Sequence, residues 1–202
     1  MITVTGIGPG EETLVLNRVL DEIKQAEIVI GSTRQLEIVP STFTGLKKEL
    51  PKKLSELEDF LQQEKAKRIV LLASGEPLLY GIGNWLSNKF DEEEIQIIPG
   101  ISSMQYLFSR LKLSMNDTYL TSSHGKEPNF DLILSLPKVA LVTDEKIGPF
   151  QIAEEIRRRG LNRTIFIGEN LSYPEEKIRT FNESTVPNEK YEMNVVVLLD
   201  EG

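Results

Sequence analysis

A single histidine, His124, stands in the 202-residue chain, inside the segment "SSHGK" and two residues before Lys126. An imidazole titrates near neutral pH and can pass a proton to or from a reacting group. Lys126 and, earlier, Arg110 and Lys112 are cations that could hold the carboxylates of an acidic ligand. The other chemically suggestive residues are glycine and proline in three segments: "GIGPG" at 6–10, "SGEPLLYGIG" at 74–83 and "PGISS" at 99–103. Glycine permits unusual backbone angles and close approach of another group. The spacing of the first segment invites comparison with a dinucleotide phosphate loop, G-x-G-x-x-G, but the third glycine is missing. Counted from Gly6 that position is Glu11, and counted from Gly8 it is Thr13. Pro9 removes a backbone N–H, and Glu11 and Glu12 would repel a phosphate at the start of the following helix. No lysine follows in the Walker pattern. Alone, this stretch is equally a tight strand-to-helix turn.

Taken together, the three segments say more. Each follows an apolar run, and in open α/β sheets ligands bind beyond the carboxyl ends of the strands. None of the three contains Lys or Arg. The ligand they suit is a neutral or cationic small molecule with hydrogen-bonding groups, not one gripped by its phosphates.

Composition narrows the remaining classes. The chain is 40% hydrophobic and 27% charged, which is globular, and its length allows one large domain or two small ones. It has no cysteine, hence no disulfide, thiolate metal site or cysteine nucleophile. One histidine excludes a zinc site that needs two imidazoles, and no metal ligands are assigned. A net charge of -8 disfavours nucleic acid and anionic membranes as partners. No signal peptide or membrane-length apolar run is visible, so the expectation is a soluble cytoplasmic protein.

The elements that must position these residues follow from periodicity. Ile2 and Val4 begin a strand ahead of the first glycine loop. Leu16, Val19, Leu20 and Ile23 recur at helical spacing, with Thr13 as a candidate cap. "EIVIGS", "KRIVLLAS" and "IQIIPG" read as strands, and residues 47–67 as one amphipathic helix. "SSMQYLFSRL" reads as a helix with Ser102 at N-cap and Gln105 at N3. A second series runs "DTYLTSS" strand, "FDLILSL" helix, "KVALVTD" strand and "PFQIAEEIRRRG" helix, the last with Pro149 near its start and Gly160 past its end. "RTIFIGE" and "MNVVVLLD" complete it as strands. The alternation predicts an α/β protein of two α/β domains, 1–113 and 114–202.

In this order and spacing, "GIGPG", "SGEPLLYGIG" and "PGISS" resemble the tetrapyrrole methylases over essentially the whole chain. The resemblance implies two α/β domains with a ligand cleft between them, and S-adenosylmethionine as the methyl-donating cosubstrate. Within the family, "SSHGK", "TDEKIGPFQIAEEIRRRG" and "IGENLSYPEEKI" are similar to segments of the cobalamin branch. That branch implies methylation at C5 of a corrinoid precursor, cobalt-precorrin-7. Alternatives are a diphthine synthase-like protein methyltransferase and a non-catalytic small-molecule-binding module. By motif position, Pro9, Gly75, Glu76, Leu79, Ser102, Ser103 and Thr143 would line the methyl-donor pocket. Gly8, Arg110 and Lys126 would bind a tetrapyrrole carrying several carboxylates, with His124 as the catalytic candidate. The family also implies a homodimer. Glu76 stands where the family usually has Asp, and Lys126 where it usually has Arg.

Overall fold

A computed structural model describes residues 1–200. They divide into two compact units, Met1–Ser102 and Ser103 onward.

The first unit carries β1 (Ile2–Gly6), α1 (Asn17–Gln25), β2 (Ile28–Gly31), β3 (Leu46–Glu49), α2 (Leu54–Gln63), β4 (Ile69–Ala73), α3 (Ile82–Ser87) and β5 (Ile95–Ile98). The strands form one sheet in the order β3-β2-β4-β1-β5, and every pairing in it is parallel. Parallel strands need a crossover on each connection, so helices cover both faces and the central strands are buried throughout. All residues of β1, β2 and β4 are buried. Ile69, Leu71 and Ala73 of β4 pack with Ile2, Val4, Ile28 and Ile30 against Leu57 and Leu61 of α2 and Leu86 of α3. The intervening Val70 and Leu72 pack with Val29 and Ile98 against Val19 and Ile23 of α1.

Two local expectations fail here. Residues 47–67 are not one helix: "LKKE" is the exposed edge strand β3, and α2 begins only at Leu54. Pro51 lies between them and disfavours helix for the residue before it. Thr13 does not cap α1. It sits in a 3-10 turn spanning Glu12–Leu14, its hydroxyl donates to the Glu11 carboxylate, and α1 starts at Asn17.

The second unit contains α4 (Ser103–Leu111), β6 (Tyr119–Ser122), α5 (Phe130–Ile133), β7 (Lys138–Val142), α6 (Pro149–Arg158), β8 (Arg163–Glu169), β9 (Lys177–Asn182) and β10 (Asn194–Asp200). The sheet order is β6-β7-β10-β8-β9. β6 and β7 are parallel, whereas β10 runs antiparallel to β7 and β8, and β8 antiparallel to β9. Regular strand–helix alternation therefore stops after α6. The edge strand β9, "KIRTFN", lacks a buried residue and so lacked an apolar signature. Val139, Leu141, Ile165, Ile167, Val196 and Leu198 form one face of the core with Ile152 and Ile156 of α6. α4 begins directly after Ser102, where an N-cap at that serine would put it. It packs on the second sheet, with Leu107 close against Gly168, which is why the unit boundary falls before α4 and not at 113/114. Pro149 is the first residue of α6, and Gly160 follows its end in the left-handed region at φ 66°.

Leu71 is buried on the central strand β4. Leu71→Ala should lower unfolding stability by about 2–5 kcal/mol, read as a drop in the urea midpoint at unchanged slope.

Candidate functional site

β4, β1 and β5 are adjacent and parallel, so the three glycine loops leave the same edge of the first sheet. The chain runs from β1 to β2 on one side, and β5 lies on the other side of β1. This reversal of winding is where open α/β sheets place ligands. The loops are joined backbone to backbone. Gly75 N–H donates to Gly8 O (2.8 Å), and Ile7 N–H to Ala73 O (2.9 Å). A Cβ on Gly6 would lie 2.5 Å from both Gly100 N and Gly75 O. Glycine at 6 and 100 is thus required by close approach of main chains, and at 8 and 75 by φ values of 79° and 64°.

The Glu76 carboxylate completes this edge. Its Oε1 accepts from Leu78 N (3.1 Å) within its own turn, and its Oε2 accepts from Gly100 N (3.0 Å) in the loop after β5. Both oxygens bind the protein's own backbone, so the glutamate fixes the loop path. Pro9 and Ser102 are buried, and Leu79 and Ser103 half-buried. Arg34, in the loop after β2, brings its guanidinium to 3.5 Å from Ser74 Oγ. The sequence reading did not single out Arg34, because no motif surrounds it. The glycine segments themselves offer backbone and hydroxyl hydrogen-bonding groups and no Lys or Arg, while Arg34 brings one guanidinium to their edge at Ser74.

The second unit carries the other predicted residues. The loop after β6 holds His124, Gly125 and Lys126, all exposed. It is tied to the loop after β7: Ser123 N–H donates to Val142 O (3.0 Å), Ser123 Oγ to Ile147 O (2.8 Å), and Gly125 N–H to Asp144 Oδ2 (2.9 Å). Asp144 Oδ1 also accepts from Lys146 N (3.0 Å) and Ile147 N (2.9 Å). Hydrogen bonds from Gly125 and Ile147 hold the Asp144 carboxyl below the usual range. Thr143 Oγ1 donates to Asn194 Oδ1 (2.8 Å) beside an open cleft of about 540 Å³, lined by Thr143, Asp144, Gln151, Tyr191 and Asn194 among others. Tyr191 is no acid–base candidate at neutral pH. Burial, with Glu189 adding to it, pushes its phenol up to about 12, and its hydroxyl donates to Pro187 O (2.8 Å).

The two substrate-side cations differ. Lys126 makes no ion pair among the described residues. Arg110 is exposed, but its Nε donates to Glu176 Oε1 (2.9 Å), while Glu176 Oε2 accepts from Ser172 N (2.7 Å). Its charge is therefore already shared within the protein. The structure thus brings Gly8, Gly75 and Glu76 together at one sheet edge, and His124, Lys126 and Thr143 onto two joined loops of the other unit. Sequence reasoning missed Asp144 as the joint. A carboxylate directly behind a buried strand and three residues ahead of a paired N–H was the available signal.

Comparison of the whole chain with known proteins gives its family. The profile "Tetrapyrrole (Corrin/Porphyrin) Methylases" matches residues 1–187, and the chain belongs to that family. It is 43% identical over 202 residues, 100% of both chains, to the cobalt-precorrin-7 C(5)-methyltransferase of Salmonella typhimurium. The crystal structure of the cobalamin biosynthesis precorrin-6Y methylase from Archaeoglobus fulgidus superposes with a TM-score of 0.80 at 23% identity, covering 100% of this chain and 99% of that one. The uroporphyrin-III C-methyltransferase of Thermus thermophilus, complexed with S-adenosylhomocysteine, superposes with a TM-score of 0.77 at 20% identity, covering 99% and 97%. These two likenesses establish the fold.

Two outcomes follow from this geometry. Gly6→Ala should cost at least about 1–3 kcal/mol of stability by thermal or urea unfolding, because the new Cβ meets backbone that cannot rotate away. The depressed Asp144 carboxyl contributes stability that is present above the ordinary carboxylate pKa and lost as pH falls through its lower folded value. In an NMR titration, the Gly125 amide should therefore report a transition whose midpoint lies below the ordinary Asp value.

Proposed function

We propose that this chain is a C-methyltransferase that moves the methyl group of S-adenosylmethionine to C5 of cobalt-precorrin-7 in cobalamin biosynthesis. The observation that carries this reading is the match at 43% identity over the full length of both chains to the Salmonella enzyme of that name. The site chemistry supports it. In this reading, Pro9, Gly75, Glu76, Leu79 and Ser102 hold the methyl donor, and the family resemblance assigns Ser103 and Thr143 the same role. When bound, that cosubstrate supplies a methyl group on a positively charged sulfur. The absence of Lys and Arg from the glycine segments spares such a cation repulsion. Because Glu76 accepts backbone N–H groups of its own turn and of the loop after β5, it acts by tying those two loops together.

The protein's task is then to orient two reactants and exclude alternatives. Orientation alone can supply about 7–11 kcal/mol of the barrier. On the acceptor side, Lys126 holds a carboxylate of the macrocycle, and Arg110 adds a weaker contact because Glu176 already engages it; the family resemblance also assigns Gly8 to the acceptor. A ring carbon that gains a methyl group must later shed a proton, and the exposed imidazole of His124 receives it in this reading. The protein carries no net positive charge to gather a polyanion, so a few placed cations must do it locally. The reading also has the enzyme act in the cytoplasm, and the family resemblance implies a homodimer. No helix among the described residues is long and apolar enough to cross a membrane.

The direct test is to incubate the purified protein with cobalt-precorrin-7 and methyl-labelled S-adenosylmethionine. Label at C5 of the product supports the reading; no transfer, or label at another ring carbon, contradicts it. Lys126→Ala should raise the tetrapyrrole KM by up to about fivefold, the scale of an exposed ion pair, with donor Kd unchanged. The difference should narrow in high salt.

A further inference from the structure

The loop that bears His124 and Lys126 is exposed along its tip, from His124 to Glu127. A loop with so little buried surface has no packing to hold its shape. Gly125, at its apex, has a φ of 74° and open space where a Cβ would lie, so the glycine serves the backbone angle and not packing. That angle turns its N–H toward Asp144 Oδ2, at 2.9 Å. Asp144 makes no ion pair among the described residues; its oxygens are occupied by the N–H groups of Gly125, Lys146 and Ile147. It thereby ties the apex of the loop, whose base is held by His124 N–H on Ser122 Oγ (3.0 Å) and Lys126 N–H on Ser123 O (3.3 Å), without forming an ion pair with Lys126.

From this geometry we infer that Asp144 is a positioning residue for the tetrapyrrole-binding loop, acting through Gly125 to set where His124 and Lys126 stand. The inference rests on the functional reading above for what that loop binds. The two oxygens divide the work. Oδ1 shapes the start of the β7–α6 connection, and with it the path of Thr143, while Oδ2 alone reaches across to the β6 loop. Asp144→Asn separates these roles. The amide oxygen can keep both Oδ1 bonds, but the amide nitrogen then faces Gly125 N–H, donor against donor. Asp144→Ala removes both sets.

The experiment measures three quantities on the full-length protein: hydrogen–deuterium exchange of residues 123–127, KM and kcat for cobalt-precorrin-7, and the Kd of S-adenosylhomocysteine. For Asp144→Asn we expect faster exchange confined to the loop and a KM increase of about tenfold, the scale of one lost charge-assisted hydrogen bond. The Kd of S-adenosylhomocysteine should stay within about twofold of wild type, since an unchanged Oδ1 environment leaves Thr143 in place. Asp144→Ala should weaken both ligands. Unchanged loop exchange or unchanged KM in Asp144→Asn overturns the proposal. So does a parallel loss of both ligands in that variant, which would mark a merely structural residue. Failure of the functional reading shows separately, as absence of methyl transfer by the wild type.

Discussion

The meeting of Gly6, Gly75 and Gly100 at one sheet edge governs the first unit. Main chains come so close there that a single Cβ on Gly6 would overlap two of them. Such contact is possible only because β4, β1 and β5 are neighbours and parallel, so their three following loops emerge side by side. The parallel order in turn demands helical crossovers and a sheet buried on both faces, which the apolar strands β2 and β4 provide. The core thereby holds three loops whose glycine segments bring main-chain groups together at one edge, with the Arg34 guanidinium beside Ser74.

A second device recurs in both units. Glu76 lies just beyond β4 and Asp144 just beyond β7. Each gives one oxygen to an N–H two residues ahead in its own turn and the other to a glycine N–H in a neighbouring loop, Gly100 and Gly125 respectively. Charge-assisted hydrogen bonds to backbone are among the stronger polar contacts available to a loop. Under the proposed function, an acidic protein binds a cation-bearing donor and a polycarboxylate acceptor, which sets conflicting electrostatic demands. These carboxylates organise the loops through backbone N–H groups, and Asp144 forms no ion pair with Lys126 among the described residues.

Much of this was legible in the sequence, for identifiable reasons. "IVLLA" and "VVVLL" announce buried strands, Pro149 and Gly160 bracket a helix, and the three glycine segments carry the family's pattern. Elements without an apolar signature were missed: "LKKE" and "KIRTFN" are edge strands whose pairing comes from the sheet beside them, not from their own residues. Thr13 looked like a helix cap, but the Glu11 carboxylate captures its hydroxyl. Placing α4 with the second unit depended on the packing of Leu107 against Gly168, a contact between residues far apart in sequence. The pairing of Arg110 with Glu176, across 66 positions, had no local signal either, and it alters what that arginine can offer a substrate.

The central claim is that the three joined glycine loops are the methyl-donor site. It is tested most directly by titrating S-adenosylhomocysteine into isotopically labelled protein and following backbone amide shifts. The account predicts saturable perturbation of Gly8, Gly75, Gly100 and Ser102, with no comparable response to NAD or ATP. Saturable binding that leaves those four amides unmoved, or perturbs only the cleft lined by Gln151 and Tyr191, would contradict it.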